Sequence, residues 1–123
     1  MKLKGLKINF LGDSITQGDV GPTDRSFAYH SVLKREAKLK EARNYGINGT
    51  TMSNRQGTPQ KEEEAYLFSQ SFCQRFHEMD DDADMVVVFG GTNDHSVSEA
   101  PLGHLKTERL IHFTVRAIVY SVD

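Results

Sequence analysis

The stretch Leu6-Lys7-Ile8-Asn9-Phe10-Leu11-Gly12-Asp13-Ser14-Ile15-Thr16-Gln17-Gly18 decides how the chain is read. Its first half alternates and is apolar enough for a buried strand. Its second half places Gly12, Ser14, Thr16 and Gly18 as a turn followed by a helix start. A serine there stands at the carboxyl end of a strand, where open parallel sheets bind ligands and the first N–H groups of a helix face incoming negative charge. Gly12-Asp13-Ser14 is therefore the candidate nucleophile turn. By spacing alone it is a weak signal, because many loops contain Gly-Asp-Ser.

Two later stretches add weight. Gly46-Ile47-Asn48-Gly49 follows a short strand ending at Tyr45, and Gly90-Gly91-Thr92-Asn93-Asp94 follows the apolar run Met85 to Phe89. Three loops of this kind, each just after a strand and each joining glycine to a small polar residue, would converge on one edge of a parallel sheet. On these residues the chain resembles the SGNH hydrolases, the GDSL esterase/lipase family. Gly12-Asp13-Ser14 matches the first block, Gly49 the second-block glycine, and Gly91-Thr92-Asn93-Asp94 the third-block Gly-x-Asn-Asp. The resemblance covers Lys7 to Gly103, and motifs in order at strand ends are far more specific than any one of them.

The resemblance implies an α/β, three-layer, flavodoxin-like parallel sheet and a small-molecule ester substrate, often an acetyl or short acyl ester on a carbohydrate or lipid. It implies no metal and no organic cofactor. It makes Ser14 the nucleophile and assigns the oxyanion hole to the backbone N–H groups of Ser14 and Gly49 and the side-chain amide of Asn93. Those residue types suit the task. A glycine backbone approaches a substrate oxygen closely, and an amide donates without bringing a charge that would perturb the serine. Asp13 and Asp94 are expected to brace their turns through local hydrogen bonds.

The family's last block, Asp-x-x-His, is not in this sequence. His95, His104 and His112 have no aspartate three positions before them. His95 lies near Asn93 in sequence and is the one candidate for a substitute base; His30 reads as a partly exposed helix histidine with no motif partner. A serine without a base is a poor nucleophile, so this polypeptide by itself is expected to have little or no turnover.

Residues 1–103 thus read as the N-terminal part of an SGNH hydrolase domain and 104–123 as an atypical tail. From Gly103 onward, codons exist that differ by one deleted T from a frame reading G-H-F-E-D-R-T-P-D-T-F-Y-G-A-C-H-S-L-L-R-R. That second frame is similar to the segment following the third block in the family, and the expectation is a frameshift near Leu105. As written, the tail is ambiguous. Phe113, Val115, Ala117 and Val119 alternate as a strand would, while Leu110, Phe113 and Ala117 fit a helix. Left unpaired, so apolar a tail would favour self-association.

Composition sets the outer limits. The 123 residues are one domain's worth, with 15 Lys and Arg against 17 Asp and Glu. No basic stripe with interleaved aromatics occurs, which argues against nucleic acid as a partner. The apolar runs fall far short of the ~20 residues of a membrane span. The Met-Lys-Leu-Lys start has no following apolar stretch or cleavage site, so the expected location is the cytoplasm. Cys73 is the only cysteine, which excludes an internal disulfide; it reads as a small core residue on a helix face.

Between the motifs, the pattern predicts a helix from Asp24 to Lys40 with Ser26 as N-cap, closing a βαβ unit with a strand at Ala42 to Tyr45. Gly46 to Pro59 reads as a long loop. Lys61 to Met79 carries Ala65, Phe68, Phe72, Phe76 and Met79 at helical spacing, with Glu62, Glu63 and Glu64 in its first turn. Asp80 to Asp84 reads as a polar turn, and Met85 to Phe89 as a central strand covered on both faces. Two other functions fit the same loops: a non-catalytic α/β module holding an anion such as phosphate, and a subunit whose acid and histidine come from another chain.

Overall fold

The computed structural model describes residues 2–18, 25–55, 57–97 and 118–121. Strand β1 (Lys7–Gly12) leads into helix α1 (Ser14–Gln17). A 3-10 turn at Arg25–Phe27, helix α2 (Tyr29–Ala37) and strand β2 (Glu41–Gly46) complete the first βαβ unit. Helices α3 (Glu62–Ser69) and α4 (Phe72–Arg75) and a 3-10 turn at Phe76–Glu78 precede strand β3 (Met85–Phe89). Helix α5 (Thr92–Val97) and a short strand β4 (Ile118–Ser121) follow.

The sheet order is β2-β1-β3-β4. β1 pairs in parallel with both neighbours, Gly12 lying opposite Gly46 on one side and opposite Phe89 on the other. The carboxyl ends of these strands are therefore level, and the loops that leave them share one edge. The order reverses about β1, which makes that edge the switch point where an α/β sheet opens a crevice. β4 runs antiparallel to β3, with Val88 opposite Ile118 and Met85 opposite Ser121. The strand alternative for the tail thus holds at 118–121. The remainder of the tail and the expected frameshift junction lie outside the described residues.

One face of the sheet carries the core. Ile8, Phe10, Leu39 and Met85 are buried there, with Tyr29, Leu33 and Ala37 of α2 packed on them. The Phe10 ring meets Tyr29 edge-on at 5.7 Å. Burying such a side chain contributes roughly 1.5–3 kcal/mol. The opposite face buries Leu11 of β1 and is polar at Lys7 and Asn9 and along β2. Lys7 and Arg43 pair with Asp82, and the Asn9 amide and Tyr45 hydroxyl both donate to Asp80, so the 80–84 turn lies against that face. Among the described residues no helix is long and apolar enough to cross a membrane.

Several local expectations change. Ser26 is not the N-cap of α2: residues 25–27 form a 3-10 turn closed by Ala28 N–H on the Arg25 carbonyl, and Ala28 takes the cap position. The long helix expected over Lys61 to Met79 breaks at Gln70 and Ser71. There the N–H groups of Phe72 and Cys73 bond the carbonyls of Thr51 and Met52 instead of the preceding turn. The stripe is divided accordingly, with Phe72 buried and Phe76 57% exposed. Cys73 is exposed rather than a core residue, because α4 turns Phe72 and Arg75 inward. In β3 only Met85 is buried and Val86 to Phe89 are half-buried, since α2 lies mainly over β1 and β2, the strands it connects.

Candidate active site

The turn Gly12-Asp13-Ser14 is built by Asp13. Its side chain accepts from Ile15 N–H at 3.0 Å, and its carbonyl accepts from Gln17 N–H at 2.8 Å, so the chain turns directly from β1 into α1. Ser14 is the first residue of that helix and is half-buried. Gly18 ends it with a φ of 91° and donates to the Ser14 carbonyl at 2.9 Å. Asp13 is only 1% exposed, and its second carboxyl oxygen has no hydrogen-bond partner. Burial pushes its carboxyl pKa up, the Ile15 N–H works against that, and the nearby Asp94 charge adds to the rise.

Helix α2 pins this turn from the core side. His30 Nε2 donates to the Thr16 carbonyl at 2.8 Å, and the Tyr29 and Thr16 hydroxyls bond at 3.0 Å. His30 is therefore buried, not partly exposed, and its ring holds the backbone of α1. Desolvation pushes the Tyr29 phenol up, with the Thr16 hydrogen bond opposing it.

The second loop is fitted against the first. A Cβ on Gly46 would stand 2.1 Å from the Gln17 backbone nitrogen, so only glycine permits this approach. Ile47 N–H donates to the Gly12 carbonyl at 3.1 Å, and Asn48 N–H to the Gln17 side-chain oxygen. Gly49 has a φ of 75°, a left-handed backbone, and Leu67 of α3 lies over it. Arg55 donates to the Gly49 carbonyl at 2.7 Å.

The third loop is tied to the second. The Asn93 side-chain amide donates to the Thr50 carbonyl at 2.8 Å, immediately after Gly49. Asp94 accepts from Met52 N–H at 2.8 Å, Ser53 N–H at 3.0 Å and the Ser53 hydroxyl at 2.7 Å. Asp13 thus holds its own turn. Asp94 braces a loop some forty residues away in sequence, because α5 delivers its carboxylate to the 52–53 backbone.

The residues singled out in the sequence accordingly lie in loops in hydrogen-bonded contact with one another. Arg75 was not among them. It is 4% exposed and donates to the carbonyls of Gly12, Tyr45 and Gln70 and to the Thr50 hydroxyl. In sequence it is one more charge in a helical stretch, and nothing in the spacing separates it from a solvated one. Burial pushes its guanidinium pKa down, against the opposing pull of the Glu78 and Asp13 charges.

Among the described residues, no histidine or carboxylate side chain hydrogen-bonds the Ser14 hydroxyl. His30 is engaged with Thr16. His95 stands exposed on α5, its N–H on the Gly91 carbonyl. His104 and His112 lie outside the described residues.

Known proteins resemble this chain in sequence and fold. A family model described as the GDSL-like lipase/acylhydrolase family matches residues 10–121. One solved crystal structure is similar with a TM-score of 0.65 and 31% identity, over 87% of this chain and 45% of that one. A protein from Lactobacillus plantarum, solved as a structural-genomics target, is similar with a TM-score of 0.60 and 29% identity, over 82% of this chain and 40% of its own. The chain spans less than half the length of these two structures. No curated protein matches it. With a family match running from within β1 into β4 across all three loops, this chain belongs to the GDSL-like lipase/acylhydrolase family.

Proposed function

We propose that this chain carries the nucleophile and oxyanion-stabilising part of a serine ester hydrolase, and that it needs an acid and a histidine from beyond its described residues for full turnover. Ser14 Oγ attacks the ester carbonyl carbon. Its proton passes to the base and on to the leaving alcohol as the ester C–O bond breaks, and water then releases the acid from Ser14. Backbone N–H groups of Ser14 and Gly49 and the Asn93 amide receive the oxygen that becomes negative. A donor of this type is worth ~3 to 4 kcal/mol of barrier. The supporting observation is the Asn93 to Thr50 hydrogen bond, which ties the third loop to the residue after Gly49 while Ile47 ties the second loop to Gly12.

The test uses the purified chain and its Ser14→Ala variant. The oxyanion donors act on the reagent without the base, so a fluorophosphonate should label the chain slowly at Ser14 and leave the variant unmodified. On a short-chain nitrophenyl ester, the chain alone should hardly exceed the variant. A large Ser14-dependent rate would reveal a substitute base, and a reagent that never modifies Ser14 would overturn the hydrolase reading.

A further inference from the structure

Arg75 is a buried cation whose partners are all neutral oxygens. No carboxylate lies within ion-pair distance of it among the described residues. Its acceptors are the Gly12 carbonyl at the end of β1 and the Tyr45 carbonyl one residue before the end of β2, together with the Thr50 hydroxyl and the Gln70 carbonyl at the break between α3 and α4. The guanidinium also lies 5.1 Å from the centre of the Phe72 ring, whose edge fills the space beside Gly90. Gly12 is two residues before Ser14, and Thr50 is next to Gly49. Uncompensated burial of a cation is costly, and that cost is met only where the fork makes hydrogen bonds no smaller group can reproduce.

We propose that Arg75 is a positioning residue that sets the separation between the Ser14 turn and the Gly49 loop: Nη2 holds the Gly12 carbonyl before the first and the Thr50 hydroxyl after Gly49, while Nη1 holds the Tyr45 carbonyl where β2 enters the second. This rests on the hydrolase reading for its catalytic meaning, but the bridge itself is testable without turnover. The planar fork spans acceptors on separate backbone segments at once. A lysine ammonium keeps the charge but offers donors from a single point, so it holds fewer of them in register.

In the unmodified chain, NMR should find slowly exchanging Arg75 guanidinium protons with through-hydrogen-bond couplings to the carbonyls of Gly12 and Tyr45. Rapidly exchanging protons with no such coupling would overturn the bridge whether or not any variant folds. In Arg75→Lys, the amides of Ile47 and Thr50 should exchange about tenfold faster while those of Ile8 and Phe10 keep their protection. With a fluorophosphonate, the limiting rate of Ser14 modification should fall in Arg75→Lys with the half-saturating concentration unchanged. A uniform rise in exchange across β1 would mean a packing role alone and would overturn the proposal. A chain whose couplings are present but whose Ser14 is never modified would overturn the hydrolase reading and leave the bridge standing.

Discussion

The Asn93 side-chain amide donates to the Thr50 carbonyl at 2.8 Å, across 43 positions of sequence. One of its two N–H groups is thus spent on holding the loop that contains Gly49, and the other remains for a ligand. The residue proposed for oxyanion binding thus also holds in place the loop that contains Gly49.

Replacing Asn93 by aspartate turns that donor into an acceptor facing a carbonyl. Stability should fall by about 1–3 kcal/mol, the cost of a lost bond and an unpaired, partly buried carbonyl. Urea titration measures it. A variant as stable as the parent would mean the 93–50 contact contributes nothing in solution.

Gly46→Ala places a methyl 2.1 Å from the Gln17 backbone nitrogen and 2.6 Å from the Thr16 carbonyl carbon. Backbone has no rotamer by which to give way, so the loss should be about 3 kcal/mol or more. Thermal unfolding checks it, and a melting temperature within a few degrees of the parent would show that α1 and β2 separate more easily than their packing suggests.

Asp13 gives a pH dependence of definite sign. Burial raises its carboxyl pKa in the folded state, so the ionised form carries a penalty above that value, and the penalty disappears as pH falls through it. An asparagine in its place would keep an oxygen for the Ile15 N–H without the charge. Asp13→Asn should therefore gain on the parent at pH 7 and lose that advantage toward acid. Paired denaturant titrations at the two pH values decide it; an unchanging difference would place the unpartnered oxygen in water.

The opposite sign applies at Asp82. Its hydrogen bonds from Arg43 and Lys7 hold its carboxyl well below the usual carboxylate range. The folded pKa is lowered, so the stabilisation is present above the unfolded value of about 3.9 and is lost as pH falls below it. Asp82→Asn should flatten the acid limb of the stability curve and leave the 80–84 turn more exchangeable. An unaltered acid limb would show that water screens this exposed network completely.

Much of the site was legible because chemistry and strand ends coincide. A strand pattern stops at Gly12, at Tyr45 or at Phe89, and the glycine and small polar residues that follow are visible without coordinates. Periodicity alone carried β1, α2 and β3. It failed at residues 70–71, where the helical stripe continues in sequence but the backbone donors of Phe72 and Cys73 find the 51–52 loop instead. It failed for Cys73 and His30 as well, since helical spacing says which residues share a face but not which face meets the sheet.

From the sequence itself come the three loops, their order and the residue types able to stabilise a negative oxygen, because these are local patterns bound to strand ends. Tertiary structure decided the register that sets Gly12 level with Gly46 and Phe89, the long-range role of Asp94, and the burial of Arg75. The physical reason is that these depend on hydrogen bonds between segments tens of residues apart, and a side chain's partners across that distance leave no period in the chain that carries it.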